Sequence, residues 1–202
     1  MSLFLLVFFF LYGGLHFHAF LKARAAFNLG PHSAAALALF LVIMVLAPVI
    51  IRQAENAGFD YFARGLAWVG YTWLGIIFLF FSASLLVDIY RLVVYLAVSA
   101  SHNDLSYFVL SARQIFFIPF FAALCIAAYG FSEALNIRTE HVVITTPKLP
   151  AGIDRIRIAQ ISDVHLGLIV RTKRLVLILD KVKESNPDIL VSTGDLVDGQ
   201  IN

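Results

Sequence analysis

Four long apolar runs within the first 131 residues constrain this chain more than any other feature. They cover residues 3–21, 33–51, 65–87 and 112–131. Crossing ~30 Å of hydrocarbon as a helix takes about 20 residues, so each run is long enough to span a bilayer. Lipid offers no partner to a free backbone amide, and a helix is how a single segment satisfies its own. Lys22 and Arg24 close the first run, Gly30-Pro31 opens the second and Arg52 closes it. The periodicity of the third continues through Asp88 and Arg91 towards Val98. Pro48 and Pro119 fall inside runs, where neighbouring helices compensate for the bond a proline removes. Trp68, Tyr71 and Trp73 near the start of the third run, and Tyr129 near the end of the fourth, suit interface positions.

Composition agrees. The sequence is 60% hydrophobic and 14% charged, against about 25% charged in an ordinary soluble domain. The expectation is a multi-pass protein of the cell membrane whose first partner is the lipid bilayer. The first run has no Lys or Arg before it and is long for the core of a signal peptide, so it is expected to stay as a span. Four spans put both termini on one side. Lys22, Arg24, Arg91 and Arg113 flank loops one and three; Arg52 and Arg64 flank loop two, and Arg138 and Lys148 follow the last span. That near balance leaves the side of the C-terminal segment undetermined. A formal charge of +2 without a dense Lys/Arg run gives no support for a nucleic-acid partner. Cys125 is the sole cysteine, so no intrachain disulfide forms.

Beyond residue 131 the texture becomes that of an α/β domain. Residues 132–154 read as a connector, in which "HVVITT" (141–146) is expected to be a strand and "PKLPAGID" is rich in turn residues. "RIRIAQIS" (155–162) alternates like a strand, with Ile156, Ile158 and Ile161 as core candidates. "TKRLVLILDKVKESN" places Leu175, Ile178, Leu179 and Val182 at helical spacing, with Thr172 as the expected cap and Asn186-Pro187 as the stop. "DILVSTGD" is a second short strand. Strand, helix and strand make a βαβ unit with parallel strands. The fold class is therefore an α-helical transmembrane domain of four spans (1–131), followed by the start of an α/β domain (155–202).

In a parallel sheet, ligands gather at the carboxyl ends of the strands. Asp163 and His165 follow the first expected strand and Asp195 follows the second. A mixed carboxylate and imidazole set suits Mn, Fe or Zn better than Ca²⁺, which prefers oxygen alone. Gly167 and Gly194 would permit tight turns there. "ISDVHLG" followed by "PDILVSTGDLVDG" resembles the first two motifs, D-x-H and G-D, of the calcineurin-like metallophosphoesterases, over residues 156–199. The preceding "VVITTPKLP" is similar to the entry of this domain in membrane-attached members.

The resemblance implies an α/β domain that hydrolyses a phosphomonoester or phosphodiester with two divalent or trivalent metal ions. Asp163 and His165 would hold the first ion, and Asp195 would bridge both. The membrane setting suggests a lipid-linked or membrane-proximal phosphoester substrate. The family's later motifs, G-N-H-[DE] and G-H-x-H, do not occur in these residues, and "HND" at 102–104 stands in the wrong chain order. The chain is thus expected to be an N-terminal fragment, inactive by itself. The alternative is a non-catalytic membrane scaffold or transport protein with a small α/β tail, although few charges lie within the spans to serve ion transport.

Other polar residues read more plainly. His16 and His18, two apart on a helix, diverge by about 200° and are expected at the interface rather than on one ion. Asp88 and Arg91 have the spacing of a structural pair. Arg171, Lys173 and Arg174 read as the solvated start of a helix, and Asp198 either orients a ligand or sits in an exposed turn.

Overall fold

Every apolar run becomes a helix longer than the run itself. The computed structural model describes residues 3–100 and 106–198, which leaves the 102–104 "HND" outside the described residues. The chain divides into two units, Met1–Phe131 and Ser132–Asn202. Helices α1 (Leu3–Phe27), α2 (Pro31–Asn56), α3 (Asp60–Ala100) and α4 (Ala112–Leu135) are all long and apolar enough to cross a membrane. The 41 residues of α3 rise about 61 Å at ~1.5 Å each, roughly twice the hydrocarbon thickness.

Local chemistry sets the ends of these helices. Asn28 takes the left-handed conformation after α1 (φ 50°), and the Leu29 N–H returns to the Arg24 carbonyl at 3.3 Å. Gly58 does the same after α2 (φ 79°), with the Phe59 N–H on Ala54 O at 2.9 Å. Both are glycine- or asparagine-terminated C-caps of the Schellman type. Pro31 starts α2 at a position where its missing N–H costs nothing. Before α4, Ser111 and Gln114 form a reciprocal capping box: the Ser111 N–H donates to Gln114 Oε1 at 2.9 Å, and the Gln114 N–H donates to Ser111 Oγ at 3.4 Å.

Within the first unit α2 packs on α3, and α1 packs on both. Lipid is as apolar as leucine, so close backbone approach rather than hydrophobic exclusion holds such helices together. The α2–α3 seam accordingly uses small residues: Ala47, Ala54, Ala63 and Ala67 are buried there. A Cβ on Gly70 would stand 3.2 Å from that of Ala47. The start of α4 meets α1 and α3 through aromatic rings, Phe27 on Phe116 and Phe117 at 5.2 and 5.6 Å, and Phe80 on Phe116 at 5.5 Å.

The seam between α1 and α3 carries polar contacts that the sequence pattern did not reveal. His16 is buried rather than interfacial, at 3% exposure. Its Nδ1 donates to Tyr12 O at 2.8 Å while its Nε2 accepts the Trp73 indole N–H at 2.8 Å. Both ring nitrogens are spent, so His16 has no lone pair left for a metal. His18 lies edge-on to Phe81 at 5.1 Å. Asp88 pairs with Arg91 at 3.2 Å as the spacing suggests, and also with Lys22 from α1.

The second unit contains strand β1 (Ile158–Ile161), helix α5 (Thr172–Glu184) and strand β2 (Ile189–Ser192). The strands are parallel, Ile158 opposite Ile189 and Ile161 opposite Ser192. Asp188 fixes their start: its carboxylate accepts the Arg157 N–H and its own N–H donates to Arg157 O, both at 2.8 Å. Three expectations need correction here. Residues 141–146 form no strand; Val142, Val143 and Ile144 are 79–90% exposed, and no neighbour supplies ladder bonds among the described residues. Ile156 and Ile158 are exposed rather than core, because the face that turns inward carries Ala159 and Ile161. Thr172 does not cap α5; Arg171 occupies the cap position without a side-chain bond. The stripe Leu175, Ile178, Leu179 and Val182 is half-buried, as its spacing requires.

Candidate metal centre

The two loops that leave β1 and β2 are tied to each other by their backbones. Thr193 N–H donates to Ile161 O at 3.1 Å, Asp163 N–H to Gly194 O at 3.2 Å, and His165 N–H to Asp195 O at 3.0 Å. Leu166 N–H to Leu196 O at 3.0 Å and Asp198 N–H to Leu166 O at 2.8 Å extend the tie. Val164 is turned inward and buried at 8% exposure, between two polar neighbours on the accessible side. The carboxyl ends of the parallel strands thus present Asp163, His165 and Asp195 together, each offering one ligand atom within 4.8 Å of the others.

The backbone at these three residues is unusual. Among the described residues, non-glycine positive φ occurs at Asn28 and Asn186, which end helices, and at Asp163 (53°), His165 (51°) and Asp195 (27°). Left-handed backbone costs an L-residue of order 1 kcal/mol or more. Such strain persists where surrounding bonds over-determine the geometry, and here the crossed loop bonds do so. The sequence reading gave the turns to Gly167 and Gly194; instead the candidate ligands themselves take the left-handed conformation. Gly167 has another task, since a Cβ there would stand 2.9 Å from Asp198 Cβ. Only glycine lets Asp198 come that close.

Asp198 is brought in for a reason visible in the bonds. His165 Nδ1 donates to Asp198 Oδ1 at 2.6 Å, which fixes the tautomer and leaves Nε2 with its lone pair outward. A ligating imidazole held by a carboxylate at its other nitrogen is a recurrent metal-site arrangement. The Asp198 hydrogen bond, with the negative charges of Asp198, Asp195 and Asp163, holds the His165 pKa above its usual value against a smaller opposing effect of desolvation. Ser162 Oγ in turn bonds Asp163 Oδ2, and Gln160 Nε2 donates to Thr193 Oγ1 at 2.8 Å beneath the loops.

This donor set fits a divalent ion. Two carboxylates and an imidazole supply the hard and intermediate ligands that Mn, Fe and Zn accept, and three nearby carboxylates make the site negative. Ligands at ~2.1 Å from one ion stand about 3–4.2 Å apart, so the observed triangle closes on an ion by small side-chain rotations. Asp163, His165 and Asp195 would hold it, and Asp198 would act through His165. Arg171, Lys173 and Arg174 carry no bond to the three candidate ligands; Arg174 instead bonds the Ala134 carbonyl.

Known proteins resemble part of this chain in sequence. Residues 156–202 match the family model described as calcineurin-like phosphoesterase. An uncharacterized metallophosphoesterase of Aquifex aeolicus is 41% identical over 81 residues, covering 40% of this chain and 31% of that protein. A transmembrane protein with metallophosphoesterase domain from Danio rerio is 37% identical over 78 residues, 38% of this chain and 18% of that protein. The uncharacterized metallophosphoesterase YkuE of Bacillus subtilis is 32% identical over 96 residues, 43% of this chain and 34% of that protein. The chain therefore spans 18–34% of the length of these curated relatives. No solved structure matches.

Proposed function

Because residues 156–202 match the calcineurin-like phosphoesterase family model, we propose that the chain is the membrane-anchoring and first catalytic part of a metal-dependent phosphoesterase. In this reading residues 1–131 are the transmembrane domain in the cell membrane, 132–154 the connector and 155–202 the start of the catalytic domain. The observation that carries the reading is the convergence of Asp163, His165 and Asp195 on one point, at the carboxyl ends of two parallel strands.

Asp163 and His165 would hold one ion, and Asp195 would supply a carboxylate to that ion and to a second. Mn, Fe or Zn bound there would supply an activated water and charge neutralisation for phosphoryl transfer. The chain's own part is positional. Asp198 keeps the His165 imidazole in the tautomer that leaves Nε2 able to ligate, and the crossed loop bonds keep the two aspartates from splaying apart. The substrate is a phosphomonoester or phosphodiester, lipid-linked or close to the membrane.

The test is hydrolysis of p-nitrophenyl phosphate and its bis ester, in Mn²⁺, by the whole encoded protein. Asp195→Asn abolishes turnover by this reading. Turnover that survives the substitution, or a whole protein with no metal-dependent turnover, leaves the scaffold or transport reading in its place.

A further inference from the structure

The two ends of the membrane unit differ in charge. Lys22 and Arg24 on α1, Arg91 on α3 and Arg113 on α4 gather at one end, which the Phe27 contacts with Phe116 and Phe117 and the Lys22–Asp88 pair bring together. Four cations stand there against the one carboxylate of Asp88 among the described residues, leaving three net positive charges. At the other end of α2 and α3, Arg52 and Arg64 are balanced by Glu55 and Asp60. Asp88 already engages Lys22 and Arg91, whereas Arg24 and Arg113 have no ion-pair partner among the described residues.

Each of those two arginines heads a shallow groove. One, of about 450 Å³, is lined by Leu21, Arg24, Ala25, Asn28 and Leu29. The other, of about 400 Å³, is lined by Arg113, Gln114, Phe117, Ile118 and Phe121, and runs down the lipid-facing side of α4. The hollow beside Arg113 is apolar and the one beside Arg24 mixes polar and apolar surface; a cation next to apolar surface matches an amphiphile that carries an anion at one end and hydrocarbon at the other. Arginine also reaches outward from a helix end while its stem stays against apolar surface, and its planar fork suits phosphate.

We propose that Arg24 and Arg113 form a binding site for anionic phospholipid: each guanidinium takes a headgroup phosphate, and the groove below it takes an acyl chain. Lys22, Asp88 and Arg91 form the packed centre of the same basic end and add its remaining net positive charge. A neutral lipid satisfies the grooves but not the excess charge, so selection falls on headgroups with net negative charge. The proposed site uses none of Asp163, His165 and Asp195 and stands whether or not those residues carry out hydrolysis.

The chain, purified in a neutral maltoside detergent, is titrated with dioleoyl phosphatidylglycerol and with dioleoyl phosphatidylcholine, and bound lipid is counted by native mass spectrometry. Phosphatidylglycerol is expected to bind more tightly than phosphatidylcholine. Arg24→Gln and Arg113→Gln each reduce its affinity roughly fivefold and together about thirtyfold, with phosphatidylcholine unaffected. Arg64→Gln, at the charge-balanced end, leaves phosphatidylglycerol binding as it was. Helical circular dichroism matching the parent keeps a folding defect from imitating the result. Equal binding of the two lipids, or phosphatidylglycerol binding that survives the double substitution, overturns the proposal. Millimolar inorganic phosphate that displaces phosphatidylglycerol would assign the arginines to free anions and overturn it as well.

Discussion

His165 and its neighbours show how much of a candidate metal site depends on residues outside its ligand set. The Asp198 carboxylate decides which imidazole nitrogen faces outward, and Gly167 decides whether Asp198 can be there at all. Asp198→Ala is therefore expected to weaken Mn²⁺ binding by roughly 10–100-fold, the range typical of lost outer-shell partners. Gly167→Ala should act in the same direction, because its new methyl pushes Asp198 away. Calorimetric titration of the two variants measures both, and an unchanged affinity in Asp198→Ala would show that His165 needs no positioning. Much at this scale was legible beforehand. Asp163, His165 and Asp195 stood out because their residue types and strand-end positions are chemistry readable from spacing. Asp198 was legible only as one of two alternatives, orienting a ligand or sitting in an exposed turn; its bond to His165 and the left-handed backbone arise from contacts between loops more than thirty residues apart.

At the scale of elements, the four membrane helices were visible in the sequence because an apolar run of sufficient length has no other way to satisfy its backbone in lipid. Their true ends lay in caps such as Ser111–Gln114 and Gly58, which extend each helix into polar sequence. Strand expectations fared unevenly for a physical reason. The pairs β1 and β2 have each other, whereas residues 141–146 have strand-like composition but no partner. Helix packing was hidden as well, because a lone glycine does not announce its neighbour. Gly70 proves to lie against Ala47, so Gly70→Leu should destabilise the α2–α3 pair by about 1–3 kcal/mol. Gly65 on the same helix faces open space, and Gly65→Leu should change stability by no more than about 0.5 kcal/mol. Unfolding midpoints in detergent compare the two, and equal losses would contradict the close-packed seam.

At the scale of the whole molecule, two chemistries share one chain. The first unit buries small residues and a polar seam while leaving large apolar side chains such as Phe10, Leu39, Phe78 and Ile126 outward. That surface suits hydrocarbon, and the chain is expected to remain in the membrane fraction after an alkaline carbonate wash; release into the supernatant would contradict four spanning helices. The second unit has a single buried apolar side chain among its described residues, Val164, directly between the two candidate ligands of the first loop. Crossed backbone bonds assemble the candidate metal centre there, and an ion held by it would add to the local folding free energy. The central claim is accordingly that these loops take up a divalent ion through Asp163, His165 and Asp195. Isothermal titration of the detergent-purified chain with Mn²⁺ tests it most directly. Saturable binding that Asp195→Asn weakens at least tenfold, and that Asp163→Asn with His165→Ala eliminates, is the result expected here; binding indifferent to all three substitutions would contradict it.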